Sequence, residues 1–154
     1  MPLLSVTLTS GVFDAAAKQK FVKALTEAAF VAESVPDLPA SRARGLVLLQ
    51  ELPPGHFYSN SEPAEARAGG VFIDYQAPAG VLDGARKAKF AQALHEAVEI
   101  ALGKEKSRSV FTSAVIIEVP EGQWAQNGKI LRLPENVATS RFEHLVGMIE
   151  GGQQ

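Results

Sequence analysis

The sequence predicts an α/β fold (α+β in some schemes) made of two tandem βαβ repeats, with a four-stranded mixed sheet carrying both helices on one face. Three observations lead there. Residues 14–28, "DAAAKQKFVKALTEA", recur at 83–97 as "DGARKAKFAQALHEA", with 9 of 15 positions identical at a constant offset of 69. Each copy follows a strand-like run and a glycine, and each is followed by a second apolar run. The second runs also end alike, in "ELPPGHF" (51–57) and "EVPEGQW" (118–124). An internal repeat of this length is a statement about architecture, because each copy is one supersecondary unit that must bury its apolar side against the other.

The first strand is "LLSVTLT" at 3–9, directly after Met1-Pro2. Gly11 marks the turn and Asp14 stands at the N-cap position, where its carboxylate can accept from first-turn amides. Phe21, Ala24, Leu25 and Ala28 form the apolar stripe of the first helix. The run "GLVLLQEL" (45–52) is the second strand, parallel to the first through a right-handed crossover. The connector 53–70 is rich in turn formers. The second copy repeats the order: "VFIDYQA" (71–77), Gly80, Asp83, a helix with Phe90, Ala93, Leu94, Ala97 and Ala101 inward, then "SAVIIEV" (113–119). "AQNGKILRLP" places a turn at Asn127-Gly128 before a short edge strand. We read one domain over 1–154, with repeat one at about 2–60, repeat two at about 71–133, and a C-terminal tail, 134–154, as a capping helix or oligomer contact. The sheet face opposite the helices stays apolar and bare, which predicts self-association.

Composition bounds the chemistry. At 154 residues, 46% hydrophobic and 21% charged, the chain has the profile of a folded globular domain. A net charge of -2 with scattered basic residues gives no nucleic-acid footprint. No cysteine is present, and His56, His95 and His144 are dispersed, so neither thiol chemistry nor a metal site is expected, and no cofactor. No signal peptide or membrane span is visible, and a cytoplasmic protein is expected.

These features together resemble the tautomerase superfamily, whose founding members include 4-oxalocrotonate tautomerase and macrophage migration inhibitory factor. The carriers are Pro2 after Met1, the βαβ unit that starts on it, the glycine-then-helix turn at 11–14, "PPGHF", and the duplication, over roughly residues 2–133. The resemblance implies a tautomerase-like fold, a homotrimer of fused chains, and an amino-terminal proline acting as general base or acid once Met1 is removed. It implies keto-enol or double-bond isomerisation of a small carboxylated substrate, with hydration or dehalogenation of a 3-substituted acrylate as the alternative chemistry and a non-catalytic binding trimer as the alternative class. The second copy starts at Val71 by the same spacing, so one site per chain is expected.

Pro2 is the candidate catalytic residue. An α-amine titrates at about 7.7–8.0, and an apolar pocket lowers that by disfavouring the cation, which suits proton abstraction next to a carbonyl. The short tautomerases carry an arginine after the turn glycine, where this chain has Val12 and Val81, and a second arginine at the position of Leu46. Arg42 and Arg44 lie just before that position and are the candidate substrate cations. Phe57 and Trp124 match the pocket aromatic, Trp124 being the copy expected to face Pro2 across the pseudo-twofold. Tyr75, with its hydroxyl as a possible donor to substrate, completes the set. The histidine of the cis-3-chloroacrylate dehalogenase group is replaced by Ala29, and the arginine pattern of malonate semialdehyde decarboxylase is missing.

Overall fold

A computed structural model of the chain describes residues 2–103 and 109–147. Two long helices lie on one face of a four-stranded sheet. In chain order the first half contributes β1 (Leu3–Leu8), α1 (Ala15–Glu33), the single turn α2 (Pro39–Arg42) and β2 (Leu46–Glu51). A two-residue hairpin follows, β3 (Tyr58–Ser59) and β4 (Glu62–Pro63). The second half contributes β5 (Ala68–Pro78), α3 (Gly84–Leu102), β6 (Ser109–Val119) and a hairpin of β7 (Trp124–Gln126) and β8 (Lys129–Leu131). α4 (Leu133–Ser140) and a short 3-10 turn (Glu143–Leu145) complete the described chain.

The sheet order is β2-β1-β5-β6. β1 pairs parallel with β2 and β5 pairs parallel with β6, as a βαβ unit requires, and the two halves join antiparallel with Leu4 opposite Tyr75 and Leu8 opposite Val71. This mixed sheet is the one that the repeat predicts. The strands of the second half run longer than their sequence signals, β5 beginning at Ala68 and β6 at Ser109, because their mutual ladder spans 11 residues.

Alternation along the strands sorts the two faces. Leu4, Val6, Leu8, Val71, Ile73 and Tyr75 point at the helices and are buried against Phe21, Leu25, Phe90 and Leu94. Leu46, Leu48, Phe111, Val115 and Ile117 belong to the other face, and all are exposed. The helices start as their sequences dictate: the Asp14 carboxylate accepts from the Ala17 amide and that of Asp83 from the Arg86 amide, both at 2.7 Å.

The repeat extends to side-chain chemistry. Glu51, last residue of β2, accepts from the Gly11 amide at 3.0 Å and from Lys18 Nζ at 2.5 Å. Glu118 receives Lys87 Nζ at 2.6 Å in the second copy. Gly11 and Gly80 sit at φ +67° and +89°, a left-handed backbone that glycine adopts without strain.

Topology gathers particular segments at one end of the sheet. β2 runs parallel to β1, β5 and β6 run antiparallel to it, and α1 returns alongside. The start of β1, the approach to β2, the end of α1, the ends of β5 and β6 and the β7-β8 hairpin therefore share one end. The tail closes over it. Phe142 and Val137 enter the core, the Glu143 amide donates to the Ser34 carbonyl at 3.0 Å, and a ring nitrogen of His144 lies 2.8 Å from the Val81 carbonyl. The Glu121 carboxylate accepts from the Leu133 amide at the start of α4, a favourable place for negative charge.

Candidate active site

Pro2 is buried at this gathered end, and its carbonyl accepts from the Leu46 amide at 3.0 Å, continuing the β1-β2 ladder. It is thereby held by backbone on an ordered strand. The pseudo-equivalent Val71 lies inside β5, already past Ala68 to Gly70, and has no free amine to offer.

The two arginines have different fates. Arg42 forms a bidentate contact with Glu27 at 2.5 and 3.1 Å, places Nε 2.7 Å from Asp37, and stacks over the Phe30 ring at 4.9 Å. Its hydrogen bond and charge hold the Glu27 carboxyl below the usual carboxylate range. A cation already shared by two carboxylates is a poor site for a third. Gly45 makes room for this arrangement: a Cβ there would lie 2.7 Å from the Phe30 ring. Arg44 is half-buried, donates to Gln126 Oε1 at 3.3 Å, and keeps a buried Nε with no hydrogen-bond partner. An orphaned buried donor of this kind is costly, and an incoming anion would satisfy it.

The contact to Gln126 brings the β7-β8 hairpin, and Trp124 with it, to the end of the sheet that holds Pro2. Trp124 is half-buried. Phe57 instead belongs to the opposite end, where its ring packs 6.0 Å from Phe72, and Phe72 packs 6.2 Å from Phe111. The structure therefore brings Pro2, Arg44 and Trp124 to one end and leaves Phe57 at the other.

Tyr75 is fully buried, edge-on to Phe90 with ring centres 4.6 Å apart. Its hydroxyl donates to Glu33 Oε1 at 2.6 Å. Glu33, also fully buried, is the residue that sequence reading missed. It ends a helix whose other glutamate, Glu27, and three lysines are not buried, so that a glutamate there reads as solvated surface. The overlooked signal was its phase, since positions 21, 25, 29 and 33 repeat every four residues along the buried stripe. Burial pushes the Glu33 carboxyl up, opposed by the charge of the chain's amino terminus and by the Tyr75 bond. Burial and the neighbouring Glu33 push the Tyr75 phenol far up, so it stays a donor.

His56 lies in an exposed turn with Nδ1 3.1 Å from the Pro54 carbonyl. No group of three or more potential metal-ligating side chains occurs among the described residues. Nor is any described helix long and apolar enough to cross a membrane.

No family model matches the sequence, and neither does any curated protein. Solved structures do match. A wild-type fused 4-OT, described as a symmetric trimer, is 25% identical with a TM-score of 0.64, over 83% of this chain and 94% of that one. Pt0534, solved after inactivation by 2-oxo-3-pentynoate, is 19% identical with a TM-score of 0.63 over the same shares. The protein N1, of the cis-3-chloroacrylic acid dehalogenase family, is 16% identical with a TM-score of 0.66, over 97% of this chain and 96% of that one. Coverage of 97% requires most of the segment after Leu133, so the N1 match takes in the C-terminal tail. In fold and in repeat organisation, the chain is similar to fused two-repeat proteins of the tautomerase superfamily.

Proposed function

We propose that the chain is a tautomerase-like enzyme in which Pro2, freed by removal of Met1, is the general base for keto-enol or double-bond isomerisation of a small carboxylated substrate. The observation that carries this reading is the burial of Pro2 at the sheet end where Arg44 holds an unpartnered buried Nε. A secondary amine in a desolvated site can take a proton from carbon, breaking C–H and forming N–H, and return it to the other end of the enol or dienol. Arg44 binds the substrate carboxylate, and Trp124 supplies apolar wall. Tyr75 acts through Glu33 and does not touch substrate. Arg42 and Phe57, engaged elsewhere, have no part in this site.

The active form is a homotrimer with one Pro2 per chain, as the fused 4-OT neighbour is a trimer. The exposed row of Leu46, Leu48, Phe111, Val115 and Ile117 is the face that association would cover.

The alternative is hydration or dehalogenation of a 3-substituted acrylate with Pro2 as acid. It is favoured by the likeness to N1 across the tail. The pH profile separates the two readings, since base catalysis rises as Pro2 loses its proton and acid catalysis falls.

The test is peptide-mapped mass spectrometry after incubation with 2-oxo-3-pentynoate, followed by turnover of carboxylated enols by wild type and Pro2→Ala. The expected result is a Met-free Pro2 carrying the adduct, and a loss of turnover of at least about 100-fold in Pro2→Ala, the usual share of a proton-transfer group. An intact Met1, or a Pro2→Ala enzyme as fast as wild type, would replace this reading with a binding trimer on the same scaffold.

A further inference from the structure

The chemistry assigned to Pro2 leaves one buried polar pair without a task. Glu33 and Tyr75 are both fully buried and joined by a 2.6 Å hydrogen bond. An ionised carboxylate inside a core costs several kcal/mol unless charge and hydrogen bonds compensate it. Tyr75 lies beside Leu4 and edge-on to Phe90, all three in the buried core.

The charged groups of each neighbouring element are engaged elsewhere. Arg42, before β2, holds Glu27 and Asp37. Arg86, in the first turn of α3, donates to the Ala32 carbonyl and to Ser34 Oγ and lies 3.9 Å from Asp83. On β6, Glu118 holds Lys87. From the tail, His144 bonds the Val81 carbonyl. Arg44 donates to Gln126. Among the described residues, the group at this end that becomes a new cation on removal of Met1 is the Pro2 amine.

Register brings Pro2 toward Glu33. Leu4 is the cross-strand partner of Tyr75, and both face the helices. Pro2, two residues before Leu4 on an extended chain, falls on the same side. It is buried there, at the end of the sheet where α1 terminates in Glu33. In the unprocessed chain the amino terminus, which is the Met1 amine directly before Pro2, is among the influences that lower the Glu33 carboxyl.

We propose that Glu33, held in place by Tyr75, is the counter-ion that keeps the Pro2 amine basic near neutral pH in a site otherwise dry enough to remove that basicity. The inference rests on the reading of Pro2 as a free, working amine. Desolvation alone favours the neutral amine and would leave a weak base, whereas an adjacent carboxylate favours the ammonium. The two opposed effects leave the amine near the operating pH, where a general base is most effective. When Pro2 takes a proton from substrate carbon, the new ammonium forms against a negative group that is already oriented. When the proton leaves, N–H breaks and the amine returns, with Glu33 chemically unchanged. Tyr75 fixes the carboxyl through Oε1. Glu33 is therefore a positioning residue.

The test measures the rate of Pro2 modification by 2-oxo-3-pentynoate against pH, in wild type, Glu33→Gln, Glu33→Asp and Tyr75→Phe. In this reaction the amine lone pair forms an N–C bond to the alkyne, one π bond breaks, and the proton on nitrogen moves to the adjacent carbon. Only the unprotonated amine reacts, so the midpoint reports its proton affinity without knowledge of the natural substrate. The expected midpoint falls by about 1–3 pH units in Glu33→Gln, the usual effect of one close opposite charge. Tyr75→Phe shifts it in the same direction by less, and Glu33→Asp lies between Glu33→Gln and wild type. Circular dichroism checks folding, and if Glu33→Gln does not fold, Tyr75→Phe carries the same test. A labelled Pro2 whose midpoint is unmoved in Glu33→Gln and Tyr75→Phe overturns this inference alone. A wild-type Pro2 that never labels overturns the Pro2 reading and this one together.

Discussion

Two glutamates of like sequence setting and one of unlike setting show how position decides a carboxylate's role. Glu51, the last residue of β2, and Glu118, the last but one of β6, each meet a helix lysine and a turn glycine amide, and those hydrogen bonds hold both carboxyls below the usual range. Glu33 is pushed the other way by burial. For the first two, a folded-state pKa below the unfolded value means stabilisation that is present above about pH 4.3, the unfolded value, and lost as pH falls through the folded one. Their side chains are 34% and 35% exposed, so solvent screens most of the gain. We expect Glu51→Gln and Glu118→Gln each to cost about 0.2–1 kcal/mol at pH 7. Urea midpoints between pH 3 and 7 check this: the loss should vanish on the acid side and shrink with added salt.

The helices owe their starts to local chemistry and their orientation to burial. Asp14 and Asp83 make the same cap at the same distance, although the residues that follow differ, Ala15-Ala16-Ala17 in one and Gly84-Ala85-Arg86 in the other. Removing either carboxylate leaves a first-turn amide without its acceptor. Asp14→Ala and Asp83→Ala should each destabilise by about 1 kcal/mol, measured by chemical denaturation. A cost confined to one of them would mean that the repeat is symmetric in sequence but not in energetics. α4 differs in kind, since its start is met by Glu121 from the preceding loop and its end by Phe142 in the core. The tail is thus bound to the β6-β7 loop on one side and to α1 on the other.

At the scale of the whole molecule, the sheet is covered on one face only. Phe111 at 59%, Leu48 at 59% and Val115 at 52% exposure form an apolar row that a lone chain leaves in water. Under the proposed trimer, Val115→Asp places a charge in that covered face. Sedimentation velocity should show wild type at three chains and Val115→Asp shifted to the single chain, with unchanged circular dichroism. A wild type that sediments as one chain, with Val115→Asp indistinguishable from it, would remove the trimer from the proposal.

Periodicity and duplication made most of the architecture legible. The repeat named the elements, their parallel pairing within each half and the face the helices take, because each is set by residues close in sequence and by the need to bury an apolar stripe. The place of Pro2, directly ahead of the first strand, was legible for the same reason. The surroundings of Pro2 were not. Arg42 and Arg44 stand two residues apart and look alike in sequence, yet one meets Glu27 and Asp37 and the other retains a bare Nε. Trp124 and Phe57 are repeat equivalents, yet antiparallel joining of the halves sends them to opposite ends of the sheet. Glu33 and Tyr75 lie 42 positions apart and meet only because β5 pairs beside β1 under the end of α1. Local pattern determines which elements form, while partner choice among charged and buried groups depends on distances across the core, and those exist only after the two halves have packed.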